Sequence, residues 1–591
     1  MKSLSLPTFT GALMAVLVSM GTTNAVIAWP CPFQCECDSR LQTVRCAYVH
    51  GLRWSTNPTN IPSDVRSLHI SDQNISSVSA LSRSNLTNLR KLEMVRSSIR
   101  ELQDTALVMA PKLRRLNLSG NSLIAMPHAV SSLRILKELI LSSNIITDLN
   151  PSDFENLTKL RVLDLSLNNI SILPPGLFQP LSELRRLNLS YNTIVSIDDH
   201  TFQALTHLED LSLSKNHIQQ LSPIWMNSLR SLWILEMSGA IIDQSQATNL
   251  LPTDESVRYP NLQQLNLAGN MMSDLPCDAL REMSGLQLLD LSHNYIKVIP
   301  DYCFWGMISL EELLLISNEI SKMEYYAFEN VTQLSTLDLS SNSLEEIEAG
   351  IFYNTNLKSL YIGSNRFHTL TENTFAGAYS LRQIFLRYNQ VSEISSQAFW
   401  YNGGLTTVDL RDNALRRVGA EYINLTALSF LAFSGNKIHT IQTNAFEGTS
   451  ISLIYLHNNS LTTLSKHVFS YMPTLSTITL SGNPWHCDCK VRYLCETMID
   501  AMETGELFPW YEDADEMMCA TPKSFQYQEM QTVKPFQMIC TTYASALAIQ
   551  LIVGLSLSAV AISTALYVVQ LYCKAKKMER NGVGDASKCL A

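Results

Sequence analysis

Cys31, Cys35, Cys37 and Cys46 lie close together near one end of the chain, and Cys487, Cys489, Cys519 and Cys540 form a second group near the other. Thiols this dense hold metal or pair as disulfides. Neither group has the C-x-x-C spacing of a zinc or redox site, and a leader-like segment precedes the first, so disulfides are expected. Spacing alone leaves three connectivities for each group of four. The segment between leader and membrane span holds 11 cysteines, an odd number. Cys277 and Cys303 could join each other, and Cys495 is then either a buried free thiol or half of an interchain bridge.

Catalytic chemistry finds no support. No Gly-rich phosphate loop follows a strand, no H-E-x-x-H occurs, and the 12 histidines are scattered. Neither a cofactor nor a metal is expected, and an enzyme or enzyme-regulating subunit is the weakest reading. A different chemistry is written in "IFLRYNQ", residues 384–390, where Phe385, Arg387 and Tyr388 replace the Asp338, Ser340 and Ser341 of "LDLSSNS", residues 337–343. Aromatic rings beside a guanidinium are recognition groups when they face outward.

Which way they face depends on the element that carries them. The template L-x-x-L-x-L-x-x-N-x-L, with other aliphatics or Phe for Leu, begins at Val65, Leu89, Leu113, Leu136, Leu160, Leu184, Leu208 and Leu232. It resumes at Leu262, Leu286, Leu310, Leu334, Leu357, Leu381, Leu405, Leu428, Ile451 and Leu475, which makes 18 matches. L-x-L is a strand period, so the leucines point inward and the residues between them outward. One unit cannot bury its apolar face alone, whereas stacked units share a core and a parallel ladder. The Asn place is Asn in 15 of 18 coils, with Gln73, Ser97 and Ala240 as exceptions. A Phe recurs 18 residues after many starts, from Phe154 to Phe469, and predicts an aromatic column on the far wall. The step from Leu232 to Leu262 is longer and contains a polar segment, 243–256, that is a tolerated insertion or a partner-touching flank.

This pattern resembles the extracellular leucine-rich repeat family over about residues 31–540. The resemblance implies an α/β solenoid, a horseshoe with parallel strands on the concave face and disulfide caps at both ends. Eighteen coils at ~4.8 Å per strand give an arc of roughly 85 Å. The family's caps imply the pairs Cys31–Cys37, Cys35–Cys46, Cys487–Cys519 and Cys489–Cys540.

In that frame, the outward places from Leu357 onward carry Tyr361; Phe385, Arg387 and Tyr388; Asp409, Arg411 and Asp412; Phe430; and Tyr455 with His457. They are expected to form one ligand-binding patch about 20 Å across. The competing expectation is a solvated ladder of cross-strand Asp–Arg pairs, which contributes little. Nine sequons, at Asn74, Asn85, Asn117, Asn156, Asn169, Asn188, Asn330, Asn424 and Asn458, imply a secreted glycoprotein. Of these, Asn117 and Asn188 fall on strands.

The chain divides into a leader at 1–25 (cleavage alternatively after 28), a cap at 26–60, repeats at 61–482, a second cap at 483–541, a membrane span at 544–572 and a tail at 573–591. The uncharged stretch 544–572 is long enough to cross a bilayer. Lys574, Lys576, Lys577 and Arg580 follow it and predict a cytoplasmic tail, hence a single-pass type I protein of the cell membrane. Cys573 at the membrane edge is a palmitoylation candidate. Gly554, Ser558, Ala561 and Ala565 share one helix face and allow a homodimer through the span. The total charge is −10. With the +3 tail and the +1 leader set aside, about −14 remains, which argues against nucleic acid as a partner. The expected partner is an extracellular or cell-surface protein. The architecture resembles short-tailed membrane repeat proteins of adhesion and development, so the reading is an adhesion molecule, receptor or co-receptor without its own signalling domain. A membrane-anchored organiser of extracellular matrix is the alternative.

Overall fold

The computed structural model describes residues 31–32, 35–47, 61–78, 86–222, 224–243, 261–423, 425–504, 510–540 and 543–579. The leader, Asn85, Asn424, nearly all of 243–256, Arg580 and Cys589 lie outside these residues. Two compact units divide the chain after Ile234.

A strand begins two residues after each of the 18 template starts, from Ser67–Ser71 to Thr477–Thr479. Where successive coils pair, the strands are parallel and in register: Leu187 stands between Leu163 and Leu211 in the first unit, and Leu360 between Leu337 and Ile384 in the second. The reason is the apolar triplet. Leu334, Leu337 and Leu339 are all fully buried, as are their equivalents in neighbouring coils. Each such side chain contributes roughly 1.5–3 kcal/mol of burial. Short two-residue parallel pairs, such as Ser196–Ile197 with Gln220–Leu221 and Thr369–Leu370 with Glu393–Ile394, line the opposite wall.

The Asn ladder satisfies the backbone at each turn. Asn342 donates from Nδ2 to the carbonyls of Leu315 (2.8 Å) and Leu339 (3.0 Å), and its Oδ1 accepts from the Ile320 amide (2.9 Å). Two of the exceptions keep part of this. Gln73 donates to the Ser71 carbonyl and Ser97 to the Val95 carbonyl. Ala240 offers no donor, and its own amide is taken by Asn270 of the next coil.

The aromatic column runs Phe154–Phe178–Phe202 in the first unit with ring separations of 6.2 and 5.9 Å. In the second it runs Phe304–Phe328–Phe352 and then Phe375–Phe399. Two members escaped the Phe pattern. Trp225 continues the first stack at 6.0 Å from Phe202, and Tyr422 sits 5.6 Å from Phe399. Phe469 is only half-buried.

Both ends of the repeat run are covered. Glu36–Asp38 pairs antiparallel with Thr43–Ala47, which in turn pairs with Ser67–Ser71. The disulfides Cys31–Cys37 and Cys35–Cys46 tie this cap. At the other end Trp510–Tyr511 adds to Thr477–Thr479, the helix Arg492–Thr504 closes over it, and Cys487–Cys519 and Cys489–Cys540 fasten the module. Asp513 accepts from the amides of Leu480 (2.8 Å) and Ser481 (2.6 Å), filling the place that a following repeat would otherwise fill. Cys277 and Cys303 bridge adjacent coils, Cα to Cα 4.6 Å. Cys495 is a buried free thiol that donates to the carbonyls of Met530 and Val533, and burial pushes it up to about 11.

Past the cap, Tyr543–Glu579 is one helix, and its segment Leu551–Tyr572 is long and apolar enough to cross a membrane. Cys573 and Lys574 follow that segment on the same helix.

Candidate functional site

Throughout, +n counts residues after a template start. At +4 seven of the 18 coils carry Asn or Asp, and in each of the seven this side chain folds back on its own strand end. Asp338 accepts from the Ser340 amide at 2.9 Å, and Asn117, Asp164, Asn188 and Asp290 do the same for the amide two residues on. Such a local bond terminates a strand neatly. It also occupies the group that would otherwise meet a partner.

Three coils in the second unit carry a Tyr or Phe at this place instead, Tyr361, Phe385 and Tyr455. Tyr361 and Phe385 are register neighbours. Their rings stack at 4.5 Å with 3° between planes. Both are half-buried by each other and by their strands. Arg387 at +6 is exposed and lies across Gly363, where an added Cβ would stand 3.0 Å from the Arg387 carbonyl oxygen and 3.3 Å from its Cγ. Tyr388 is 58% exposed and sits in the left-handed region at φ 58°. Further along, Phe430 meets Tyr455 edge-on at 5.4 Å, and Tyr455 stands 6.0 Å from His457. The His457 ring nitrogen Nδ1 shares a 2.7 Å hydrogen bond with the Thr479 hydroxyl.

Asp409 differs from its expected role. It is 1% exposed, so it presents no face to a ligand. Its Oδ1 accepts from the Arg411 amide at 3.1 Å, and both its oxygens are gripped by the Arg411 guanidinium, Nε to Oδ1 at 2.9 Å and Nη2 to Oδ2 at 2.6 Å. The expected cross-strand ion-pair ladder is therefore a single pair within one strand. The Asp409 hydrogen bond holds the Arg411 guanidinium above its usual range. Asp412 is exposed, and its carboxylate covers Gly435. Outward register predicted accessibility; the fold-back alone leaves Asp164, Asp290 and Asp338 half-buried, and Asp409 differs from them in the two-point grip of Arg411 that covers it.

The rings thus form two groups, Tyr361 with Phe385 and Phe430 with Tyr455, on either side of the buried Asp409–Arg411 pair. Apolar rings, guanidinium groups of Arg387 and Arg411, and the exposed phenol of Tyr388 suit a protein surface with an acidic or carbonyl-rich rim.

A second aromatic cluster escaped the sequence reading because it lies off the strand register. On the opposite wall Tyr302 and Tyr326 stack at 5.1 Å, Tyr325 meets Tyr326 edge-on at 4.8 Å, and Tyr353 stands 6.0 Å from Tyr379. Tyr recurs at +16 in two successive coils, a signal that was available. Of the sequons, Asn74, Asn169 and Asn458 are exposed, and Asn117, Asn156, Asn188 and Asn330 are half-buried.

Leucine rich repeat models match residues 63–123, 134–194, 182–240, 260–320 and 426–484, and a BspA type Leucine rich repeat region of 6 copies matches 297–426. The chain is 29% identical over 170 residues to oligodendrocyte-myelin glycoprotein of Homo sapiens, covering 25% of this chain and 38% of that one. It is 34% identical over 149 residues to nephrocan of Mus musculus, covering 24% and 27%. It therefore spans well under half the length of these relatives. A chain of the Toll–Spatzle complex of Drosophila has the same fold at 22% identity and a TM-score of 0.58, with 81% of this chain and 61% of that chain covered. None of these comparisons supports a homodimer. With a strand after every template start, disulfide caps at both ends and family models matching more than half of its length, the chain belongs to the leucine-rich repeat family.

Proposed function

We propose that the protein is a single-pass cell-surface receptor, co-receptor or adhesion molecule, active in development, that holds a protein ligand on the strand face of its later coils. The observation that carries the ligand site is the Tyr361–Phe385 stack beside exposed Arg387 and Tyr388, at the strand position where seven other coils turn an Asn or Asp back on its own strand end. Large rings and arginine in the outward register contribute nothing to the leucine core, and they are the residues in which binding hot spots are enriched. The Toll–Spatzle complex gives a fold-level analogy for a protein ligand. Placement of the repeats outside the cell is supported by the disulfides, the sequons and the lysines that follow Leu551–Tyr572.

The test is a screen of secreted and cell-surface ectodomains against the full-length protein on cells, followed by a double change. Phe385→Ala with Tyr388→Ala should weaken the captured ligand by about thirtyfold, or ~2 kcal/mol, with unchanged surface expression. Ser340→Ala with Ser341→Ala should leave binding unaltered. Equal binding by both double mutants would remove the patch from the account, and a matrix organiser with diffuse contacts would then fit better. A C-terminal epitope that stains intact cells would reject the orientation.

A further inference from the structure

The place one residue after each template start lies at the entrance of the strand. In six consecutive coils of the first unit it is basic: Arg66, Arg90, Arg114, Lys137, Arg161 and Arg185. These residues are linked rung to rung through the backbone. The amide of Arg90 donates to the carbonyl of Arg66, Arg114 to Arg90, Lys137 to Arg114 and Arg161 to Lys137, each at 2.8 Å, and Arg185 to Arg161 at 2.9 Å. All are exposed except Lys137, which is half-exposed. Five steps at ~4.8 Å make a row about 24 Å long.

Carboxylates answer only its last third. Glu183 lies 3.6 Å from Arg161, and Glu209 pairs with Arg185. Among the described residues Arg66, Arg90, Arg114 and Lys137 make no ion pair, while Arg115, next to the row, is already held by Glu138 at 2.5 Å. Like charges on neighbouring rungs repel one another. The same place in the second unit reads Gln263, Gln287, Glu311, Ser335, Lys358, Arg382, Thr406, Ser429, Ser452 and Ser476. Strand entrance therefore does not demand a cation, and the row is peculiar to the early coils.

We infer that this row binds a linear sulfated polysaccharide, one anionic group near each rung. The geometry selects the class of polyanion. The row is one residue wide and unbroken from rung to rung, and no aromatic residue takes a place in it between Arg66 and Arg185 on which unpaired bases could stack, as single-stranded nucleic acid binding requires. Sulfate groups along a stiff chain need only spaced cations. The sequons on strands, Asn117 and Asn188, stand at +4, three residues beyond the row in each coil. The ligand patch around Phe385 uses other residues in the other unit, so the two sites are separable.

Full-length protein in detergent, applied to immobilised heparin, provides the test. Arg90→Gln with Arg114→Gln and Lys137→Gln should weaken binding at least about tenfold at ~0.15 M salt. It should also reduce the slope of log affinity against log salt by about three, one for each cation removed. The charge-keeping set Arg90→Lys with Arg114→Lys should retain most of the binding, which guards against a folding defect. Lys358→Gln with Arg382→Gln, and the Phe385→Ala/Tyr388→Ala protein, should stay within about twofold of wild type. Retention of the triple mutant equal to wild type overturns the inference, as does equal loss on changing Lys358 and Arg382. Displacement by single-stranded RNA at lower concentration than by heparin oligosaccharide would also overturn it, by assigning the row to nucleic acid.

Discussion

The coils that start at Leu334 and Leu381 share a frame and part company at the end of the strand. In the first, Asp338 bends back to the Ser340 amide and the face is closed and polar. In the second, Phe385 cannot accept that bond, its ring lies flat on Tyr361, and Arg387 is left outside. Beneath both lie a buried Asn and a fully buried aliphatic triplet, Leu334, Leu337 and Leu339 in one and Leu381, Ile384 and Leu386 in the other. The contrast separates the residues that make a coil stand from those that decide what it shows.

Breaking the shared part should have the largest effect. Asn389 donates to the carbonyls of Ile362 (2.9 Å) and Leu386 (3.0 Å), and its Oδ1 accepts from the Phe367 amide (3.1 Å). Asn389→Ala leaves these buried groups without partners, at a cost of about 3 kcal/mol. Native-state hydrogen exchange should show amides of the coils at Leu357 and Leu381 opening about a hundredfold more often, while Phe385→Ala should leave them within about threefold. Similar exchange in the two mutants would mean that the distinction is false.

A middle effect is expected at Asp409, which combines both roles. Asp409→Ala strips the amide bond and the two-point grip on Arg411, and should cost about 2 kcal/mol in thermal unfolding. Asp409→Asn keeps the amide bond and should cost under ~1 kcal/mol. If Asn were as damaging as Ala, the ion pair rather than the strand-end bond would be what holds this turn.

The smallest effect tests whether the display can be moved. Asp338 is the register neighbour of Tyr361. Asp338→Phe gives up one amide bond of about 1 kcal/mol and lets a third ring join the stack, worth a similar amount. Thermal stability should change by less than ~1 kcal/mol, with a stronger aromatic band in near-ultraviolet circular dichroism. A loss above ~2 kcal/mol would show that the strand-end bond cannot be traded for a ring.

Much of this was legible beforehand. The period places every strand start, because a triplet of buried leucines leaves little freedom of register. The cap pairings came from family resemblance, not from spacing. Trp225 and Tyr422 are hidden from the Phe period because a column on the core wall accepts any large flat ring. Asp513 was missed because it serves the ladder from more than thirty residues away in sequence. Asp409 was misread because alternation tells which side of a strand a residue leaves from and says nothing about where its side chain turns next.

One further feature bears on how such a chain can vary. At +7 all eighteen coils pass through the left-handed region, and only Gly120, Gly239, Gly269, Gly435 and Gly482 do so with glycine. The other thirteen, among them Leu167, Tyr191, Lys215, His293 and Tyr388, hold a side chain in a conformation that costs roughly 1–2 kcal/mol each. Glycine would relieve that strain anywhere along the series. What it would erase is a side chain thrown clear of the backbone once per coil, at a spot that neither the leucines nor the asparagines constrain. Neighbouring side chains in this series can touch, as Arg96 does Asp72 and Asp412 does Gly435, but none of them belongs to the core, and changes of specificity should accumulate there sooner than anywhere else on the strands.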